Sequence, residues 1–320
     1  MTVAPLSRDG RVYVAGHRGL AGSAIWRALQ AEGFTDLVGV PSSELDLRDR
    51  EAVFDYVTAT RPGAVVLAAA KVGGIVANDS YPADFLSENL RIQVNVMDAA
   101  LAAGVPRLLF LGSSCIYPKF APQPIQESSL LTGPLEPTND AYAIAKIAGV
   151  LHVQAVRRQH GLRWTSAMPT NLYGPGDNFD REKSHVLPAL IRRFHDAVEA
   201  GDDVVTLWGT GTPRREFLHV DDLGRAIVRL LDVHDEPSPI NVGAGEDITI
   251  RELAGLVAEV VGYRGRIVQD ESRPDGTPRK LLDSSRMRAL GWQPTVSLAD
   301  GIARTYAWFV EHGAEARLVG

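Results

Sequence analysis

Near the start of the chain a short β-branched run, Arg11 to Ala15, passes straight into the glycine-rich turn GHRGLAG and then into SAIWRALQAEG, a helical pattern ended by Gly33. The same rhythm then repeats. A strand from Asp36 to Val40 precedes ELDLRD and a helix from Asp49 to Thr60. A strand from Ala64 to Ala70 precedes the loop KVGGIVANDSYP and a long helix from Ala83 to Ala103. A further strand runs from Arg107 to Gly112. Near-continuous apolar strands are buried on both faces, and parallel pairing needs a helical crossover between strands. The alternation therefore predicts a doubly wound parallel α/β sheet.

The opening turn narrows this to a Rossmann-type unit. Glycines at 16, 19 and 22 let the backbone turn tightly, approach a pyrophosphate and pack the following helix on the sheet, with the helix N-terminus facing the anion. His17, Arg18 and Leu20 lie in the same turn. The spacing is GxxGxxG, not the GxGxxG of many dehydrogenases. The second strand ends in Pro41, Ser42 and Ser43, where an NAD site ordinarily places a carboxylate for the ribose 2′-hydroxyl; Glu44 comes later. Together with Arg18 this favours the 2′-phosphate of NADP. Asp46 is the acidic residue expected beside adenine.

The chemistry-bearing stretch runs from Leu108 to Lys146. Leu111 and Gly112 end a strand that delivers Ser113, Ser114 and Cys115 to the sheet's carboxyl end, where open α/β sheets hold their ligands. Tyr142 and Lys146 then lie four apart on a helix from Asp140 to Gln159, hence on one face. An ammonium beneath a phenol is expected to lower its pKa. A serine hydroxyl, a phenol and a lysine around one carbonyl polarise it and protonate its oxygen as hydride arrives at carbon.

Composition sets limits on alternatives. A formal charge of -6 argues against an extended nucleic-acid surface, so an anionic substrate needs a local arginine cluster. The single cysteine, Cys115, allows no intrachain disulfide and argues against a Cys/His zinc framework, so no metal is expected. The first residues, MTVAPLSRDG, lack an apolar signal core, and no apolar run approaches the roughly 20 residues of a membrane span. A reducing cytoplasm is the expected setting.

Beyond LRWTSAMPTNLYGPGDNF the rhythm becomes irregular. The strand ending in Pro169, Thr170, Asn171 and Leu172 leaves the sheet through a Tyr-Gly-Pro turn. SHVLPALIRRFHDA and Asp247 to Val261 read as helices and VVTLWG as a strand. FLHVDDLGRAIVRLL and PINVG return to the first unit, and SRPDGTPRKLLDSSRMRALGW is basic and turn-rich. The expected division is a cofactor unit of residues 1–177 with 217–244 and a smaller C-terminal substrate lobe of 178–216 with 245–320.

GxxGxxG, the serine at a strand end, YxxxK and PTNLYGP in this order resemble the extended short-chain dehydrogenase/reductase superfamily. The strings AGHRGLAGSAI, KVGGIVAN, LGSSCIYPK, EPTNDAYAIAKIAG, MPTNLYGPGDNF, SHVLPALIRRF, GTPRREFLHVDD and RPDGTPRKLLD resemble, more narrowly, the GDP-L-fucose synthase family, from about Arg11 to Tyr306. That resemblance implies 3,5-epimerisation and NADPH-dependent 4-reduction of GDP-4-keto-6-deoxy-D-mannose. It implies a reduction triad of Ser113, Tyr142 and Lys146 and an epimerisation pair of Cys115 and His185, a thiol and an imidazole poised to exchange protons near neutral pH. It implies nucleotide-sugar contacts from Arg193, Trp208, Arg215, Asp275 and Lys280, and a nicotinamide pocket lined by Pro169, Asn171, Leu172 and His185, with Leu111, Gly112, Ser114 and Ser42 also on the cofactor.

One departure stands out. The family pattern carries arginine in the loop after the second strand, where this chain has Val40, Pro41, Ser42 and Ser43. Two other readings compete: a nucleotide-sugar 4-epimerase that retains NAD, and a non-catalytic NADP-binding protein. The superfamily also implies a homodimer through the helices Ala83 to Ala103 and Ala141 to Gln159.

Overall fold

The computed structural model describes residues 5–181, 183–272 and 275–312. The parts of the expected division that fall on 1–4, 182, 273–274 and 313–320 lie outside these residues. In chain order the elements are β1 (Val12–Ala15), α1 (Leu20–Ala31), β2 (Leu37–Val38), α2 (Arg50–Thr60), β3 (Ala64–Leu67), α3 (Ile75–Ser80), α4 (Pro82–Ala102), β4 (Arg107–Leu111), α5 (Asp140–His160), β5 (Arg163–Pro169), β6 (Asn171–Tyr173), α6 (Val186–Ala200), β7 (Val204–Trp208), β8 (Arg214–Arg215), β9 (Phe217–His219), α7 (Val220–Val233), β10 (Ile240–Val242), β11 (Ile248–Thr249), α8 (Ile250–Val261), β12 (Arg266–Asp270), β13 (Arg279–Lys280), α9 (Ser285–Ala289) and α10 (Leu298–His312).

Six strands in the order β10-β5-β4-β3-β1-β2 form one parallel sheet. The buried runs VYVA of β1 and AVVL of β3 explain why helices cover both faces. One face packs Val53, Val57, Val96, Met97, Val150 and Val153 from α2, α4 and α5. The other packs Ile25, Leu29, Leu223, Ile227 and Leu230 from α1 and α7. Burying each such side chain contributes roughly 1.5 to 3 kcal/mol.

A third core joins Leu187, Ile191 and Phe194 of α6 to Leu253 and Val257 of α8 and to Ile302 and Phe309 of α10. Small sheets lie outside the main one: β11-β8-β13, β12-β7 and β6-β9. Leu282 packs in the first core, and Met287 and Trp292 in the second, so segment 282–292 leans on the parallel sheet although the sequence reading places it in the lobe.

Several expected boundaries shift. The loop KVGGIVANDSYP holds the short helix α3. The first helix begins at Leu20, inside the glycine turn, because Gly22 has no Cβ to strike the Gly16 carbonyl. The helix expected from Asp247 begins at Ile250, where Thr249 and Glu252 form a capping box. The strands expected to reach Val40 and Ala70 stop at Val38 and Leu67.

Candidate active site

The glycine turn is built for close approach. Gly16 has φ +88, and a Cβ there would lie 2.7 Å from the Ala69 amide nitrogen; one on Gly22 would lie 2.0 Å from the Gly16 carbonyl oxygen. The Gly19 amide donates to the Gly16 carbonyl at 3.0 Å. Gly19 caps α1 without any side-chain hydrogen bond, so the first N–H groups of that helix keep their capacity to bind an anion. Beside the turn, the His17 ring packs 5.4 Å from Trp26, and a Cβ at Gly39 would meet it at 2.5 Å. His17 Nδ1 is buried without a partner. This backbone cradle and open helix terminus fit a dinucleotide pyrophosphate.

The end of β2 is less committed. Arg18 is exposed, as are Ser42 and Ser43 in the following turn. Asp46, expected beside adenine, accepts from Arg48 at 2.8 Å, and Arg48 also reaches Glu88 at 3.0 Å. The Arg48 guanidinium holds the Asp46 carboxyl below its usual range.

At the end of β4, Ser113 is in extended conformation and its Oγ accepts from the Cys115 amide at 3.3 Å, starting a 3-10 turn over Ser114–Ile116. That turn aims Cys115 toward α5. Lys146 is buried; its Nζ donates to the Leu111 carbonyl at 2.9 Å and sits 4.9 Å from the Phe110 ring centroid and 5.7 Å from that of Tyr142. Burial lowers the Lys146 pKa to about 8.

The expectation that Lys146 depresses the Tyr142 pKa is corrected here. Burial, and then the neighbouring Cys115, push the phenol upward. The ammonium is committed to a backbone carbonyl and is itself destabilised by burial, so its field does not offset the phenol's loss of water.

Cys115 and His185 likewise depart from an even poise near neutral pH. Burial raises the thiol, opposed by Lys280, the Ser113 hydroxyl and Lys146. His185 caps α6 and is exposed along one side; the protein atoms packed around the rest of its ring, and then Lys280, lower its pKa. Cys115 therefore rests as a thiol and His185 as a neutral imidazole. Lys280 favours loss of the proton from both.

Lys280 links the two halves of the site. It feels Cys115, Arg215 and Glu136, and Arg215 feels Asp275 and Glu136. Lys280 and Arg215 are register partners in the parallel pair β13 and β8. Asp275 accepts from the Thr210 amide at 3.0 Å and its hydroxyl at 2.7 Å, ordering the turn after β7. Trp208 ends β7 with 58% of its surface exposed. Arg193 is exposed on α6 and donates to the Thr206 carbonyl of β7 at 2.9 Å.

Among the residues expected on the cofactor, Pro169 ends β5 opposite Val242, and Asn171 Nδ2 donates to the Glu216 carbonyl at 2.7 Å. Leu172 is half-buried, Gly112 is packed by Met168, and Ser114 is buried. Among the described residues no group of three or more His, Cys, Asp or Glu side chains is placed to hold a metal ion, and no helix is long and apolar enough to cross a membrane.

Sequence reasoning missed Glu136, which accepts from the Thr138 amide at 3.0 Å and lies 3.5 Å from Lys119. Its signal was its place at the head of EPTN, just before the YxxxK helix. It also missed the buried Glu216, flanked in sequence by Arg215.

Comparison with known proteins agrees with this geometry. Residues 12–243 match the model of the NAD dependent epimerase/dehydratase family. The chain is 59% identical over 311 residues to a probable GDP-L-fucose synthase 1 of Oryza sativa subsp. japonica, covering 97% of this chain and 95% of that one. It is 54% identical over 311 residues to the GDP-L-fucose synthase of Escherichia coli K12, covering 94% and 97% respectively. A solved GDP-L-fucose synthetase from Naegleria fowleri with NADP bound superposes with a TM-score of 0.90 at 28% identity, covering 99% of each chain. A parallel sheet with a glycine cradle, an α5 that carries tyrosine and lysine, and this extent of likeness place the chain in the NAD dependent epimerase/dehydratase family.

Proposed function

We propose that this chain is a GDP-L-fucose synthase, converting GDP-4-keto-6-deoxy-D-mannose to GDP-L-fucose with NADPH. The observation that carries the reading is the convergence of Ser113, Cys115, Tyr142 and Lys146 at the carboxyl end of β4 with Lys280 of the second lobe beside Cys115. Bound NADPH supplies the hydride.

The residues divide the work. Ser113 and Tyr142 direct hydroxyl groups at the C4 carbonyl, where negative charge develops when a neighbouring proton is removed. Cys115 and His185 exchange protons at C3 and C5, one removing and the other delivering on the opposite face. The resting pair holds one proton, on sulfur, and Lys280 stabilises the thiolate when that proton leaves. Tyr142 then protonates the C4 oxygen during reduction, and Lys146, held at the Leu111 carbonyl beneath the ring, faces the phenolate left behind. One carbonyl thus serves as electron sink for both inversions and for reduction.

Arg215 and Lys280 place two cations for the diphosphate, Asp275 holds the Thr210 turn, and Trp208 offers an indole face to the nucleotide or sugar. Arg193, held at the Thr206 carbonyl of β7 two residues before Trp208, is the remaining cation assigned to the nucleotide. His17, packed against Gly39 just after β2, with Arg18 and the Ser42 hydroxyl, is assigned to the adenosine ribose. The cofactor unit builds most of the sheet's two cores and the substrate lobe most of the third, with Leu282, Met287 and Trp292 of the lobe packed back on the sheet and Tyr173 and Phe217 of the cofactor unit in the third core.

A homodimer through α4 and α5 is the assembly we favour, since Val94, Ile144 and Leu151 stay exposed on these two packed helices. The reducing cytoplasm suits an enzyme whose one cysteine works as a thiol.

The test is absorbance at the reduced-nicotinamide band with purified protein, the 4-keto sugar and NADPH, repeated with Cys115→Ser. Stoichiometric oxidation by the wild type, severely slowed in the variant, supports epimerisation before reduction at one site. No oxidation by the wild type sinks the assignment, and tightly held NAD that is not consumed would mark a 4-epimerase instead.

A further inference from the structure

Glu216 is wholly buried, yet it is not part of the chemistry above. It stands between β8, which carries Arg215, and β9, which pairs with β6. Its carboxylate is held by backbone amides from two distant segments. Oε1 accepts from Gly245 at 2.7 Å, and Oε2 accepts from Leu282 at 3.0 Å. Burial pushes the Glu216 carboxyl pKa up, and the amides of Gly245, Leu282 and Ala244 with the Thr170 hydroxyl oppose it. Its own carbonyl accepts from Asn171 Nδ2 at 2.7 Å and from the Thr170 hydroxyl at 3.2 Å.

Each of these segments leads to one side of the site. Asn171 belongs to the strand exit on the nicotinamide side. Gly245 follows β10, the edge strand of the parallel sheet. Leu282 is two residues beyond Lys280, whose strand lies in register with Arg215. Gly243 completes the arrangement, because a Cβ there would come within 2.4 Å of the Glu216 carboxylate.

We propose that Glu216 is a positioning residue that sets the distance between the nicotinamide pocket and the cations holding the nucleotide-sugar. A carboxylate accepts from amides on both oxygens, whereas an isosteric amide turns an N–H toward one of them and leaves a buried donor unpaired. The segment released is either Gly245 or Leu282, so Lys280 and Arg215 shift relative to Asn171. A hydride transfer tolerates little misplacement of the reacting atoms.

The proposal rests on the reaction assigned above, so the experiment separates the two. Glu216→Gln is compared with wild type in three readouts: the NADPH dissociation constant by nicotinamide fluorescence, the GDP-L-fucose dissociation constant by calorimetry, and KM and kcat for the 4-keto sugar. The expected result is NADPH affinity within about twofold of wild type, with GDP-L-fucose affinity and kcat/KM each lower by about tenfold or more. Gly243→Ala, which crowds the same carboxylate while leaving it in place, reproduces the pattern and serves where Glu216→Gln does not accumulate folded. Unchanged sugar affinity, or NADPH and sugar affinities falling together, overturns the positioning role, as does failure of both variants to fold. An inactive wild type that still binds GDP-L-fucose overturns the assigned reaction and leaves the binding comparison to decide the role of Glu216.

Discussion

The Lys146 ammonium donates to the Leu111 carbonyl at 2.9 Å, tying the helix that carries Tyr142 to the end of the strand that delivers Ser113. The lysine is buried, and its pKa falls to about 8. Between about pH 8 and 10.5 the unfolded chain holds this proton more tightly than the native protein. Wild-type stability therefore rises with pH across that window, and the full penalty is present below it. Lys146→Met is expected to abolish reduction; at pH 7 relief of the burial penalty opposes the Leu111 carbonyl left unpaired, and the variant's stability relative to wild type should fall by about 3 kcal/mol between pH 7 and pH 10.5. Urea unfolding at both pH values checks this, and a stability difference that is the same at the two pH values would refute it.

Cys115 offers a direct reading of the field around the site, since it is the only thiol in the chain. Its pKa is raised by burial and opposed by Lys280. Iodoacetamide should label it slowly at pH 7 and faster as pH rises, because only the thiolate reacts. Lys280→Gln removes the nearby cation and should move that profile to higher pH. A profile that stays in place would mean that Lys280 does not act on the sulfur.

Gly22→Ala tests the cradle. The new Cβ would fall 2.0 Å from the Gly16 carbonyl oxygen, so the turn must open. Overpacking of this kind costs about 1 to 3 kcal/mol, and NADPH affinity should fall by about tenfold or more. Retained affinity, measured by nicotinamide fluorescence, would show that the pyrophosphate does not sit there.

The proposed dimer surface carries its own prediction. Ile144 is 46% exposed and lies on α5, facing away from the buried Ala143 and Ala145 that border it. Ile144→Glu places a charge on that surface and should shift a dimer toward monomer in sedimentation velocity, with secondary structure unchanged by circular dichroism. Wild-type protein sedimenting as a monomer would remove this assembly.

Tyr117 and Asn241 brace the loop beyond Cys115, with the phenol 2.6 Å from the Asn241 side-chain oxygen in a buried contact. Tyr117→Phe leaves that acceptor unpaired and should cost about 1 to 3 kcal/mol in urea unfolding. A loss well below this range would mean that the Asn241 oxygen finds another donor.

Features governed by local spacing are legible in the amino-acid sequence. The strand, glycine turn and helix from Arg11 to Gly33 specify a phosphate cradle because the positive φ open to Gly16 and the missing Cβ of Gly22 are properties of the residues themselves. Tyr142 and Lys146 share a helical face because four residues make about one turn. The strand end at Ser113 follows from apolar patterning. The family resemblance supplies His185, Arg193, Trp208, Arg215, Asp275 and Lys280, which spacing alone does not distinguish from ordinary surface residues.

What needed the tertiary structure was every relation between residues far apart in the chain. The sequence by itself determined that a cofactor cradle, a hydroxyl-bearing strand end and a tyrosine-lysine helix would exist and in what order. Only folding decided that Lys280 stands beside Cys115, that Glu136 and Arg215 share its field, and that Glu216 joins segments around 171, 245 and 282. It also decided the protonation states, because the upward shift of Tyr142 and the downward shift of Lys146 come from burial, and burial is a sum over atoms from many elements that no local spacing encodes.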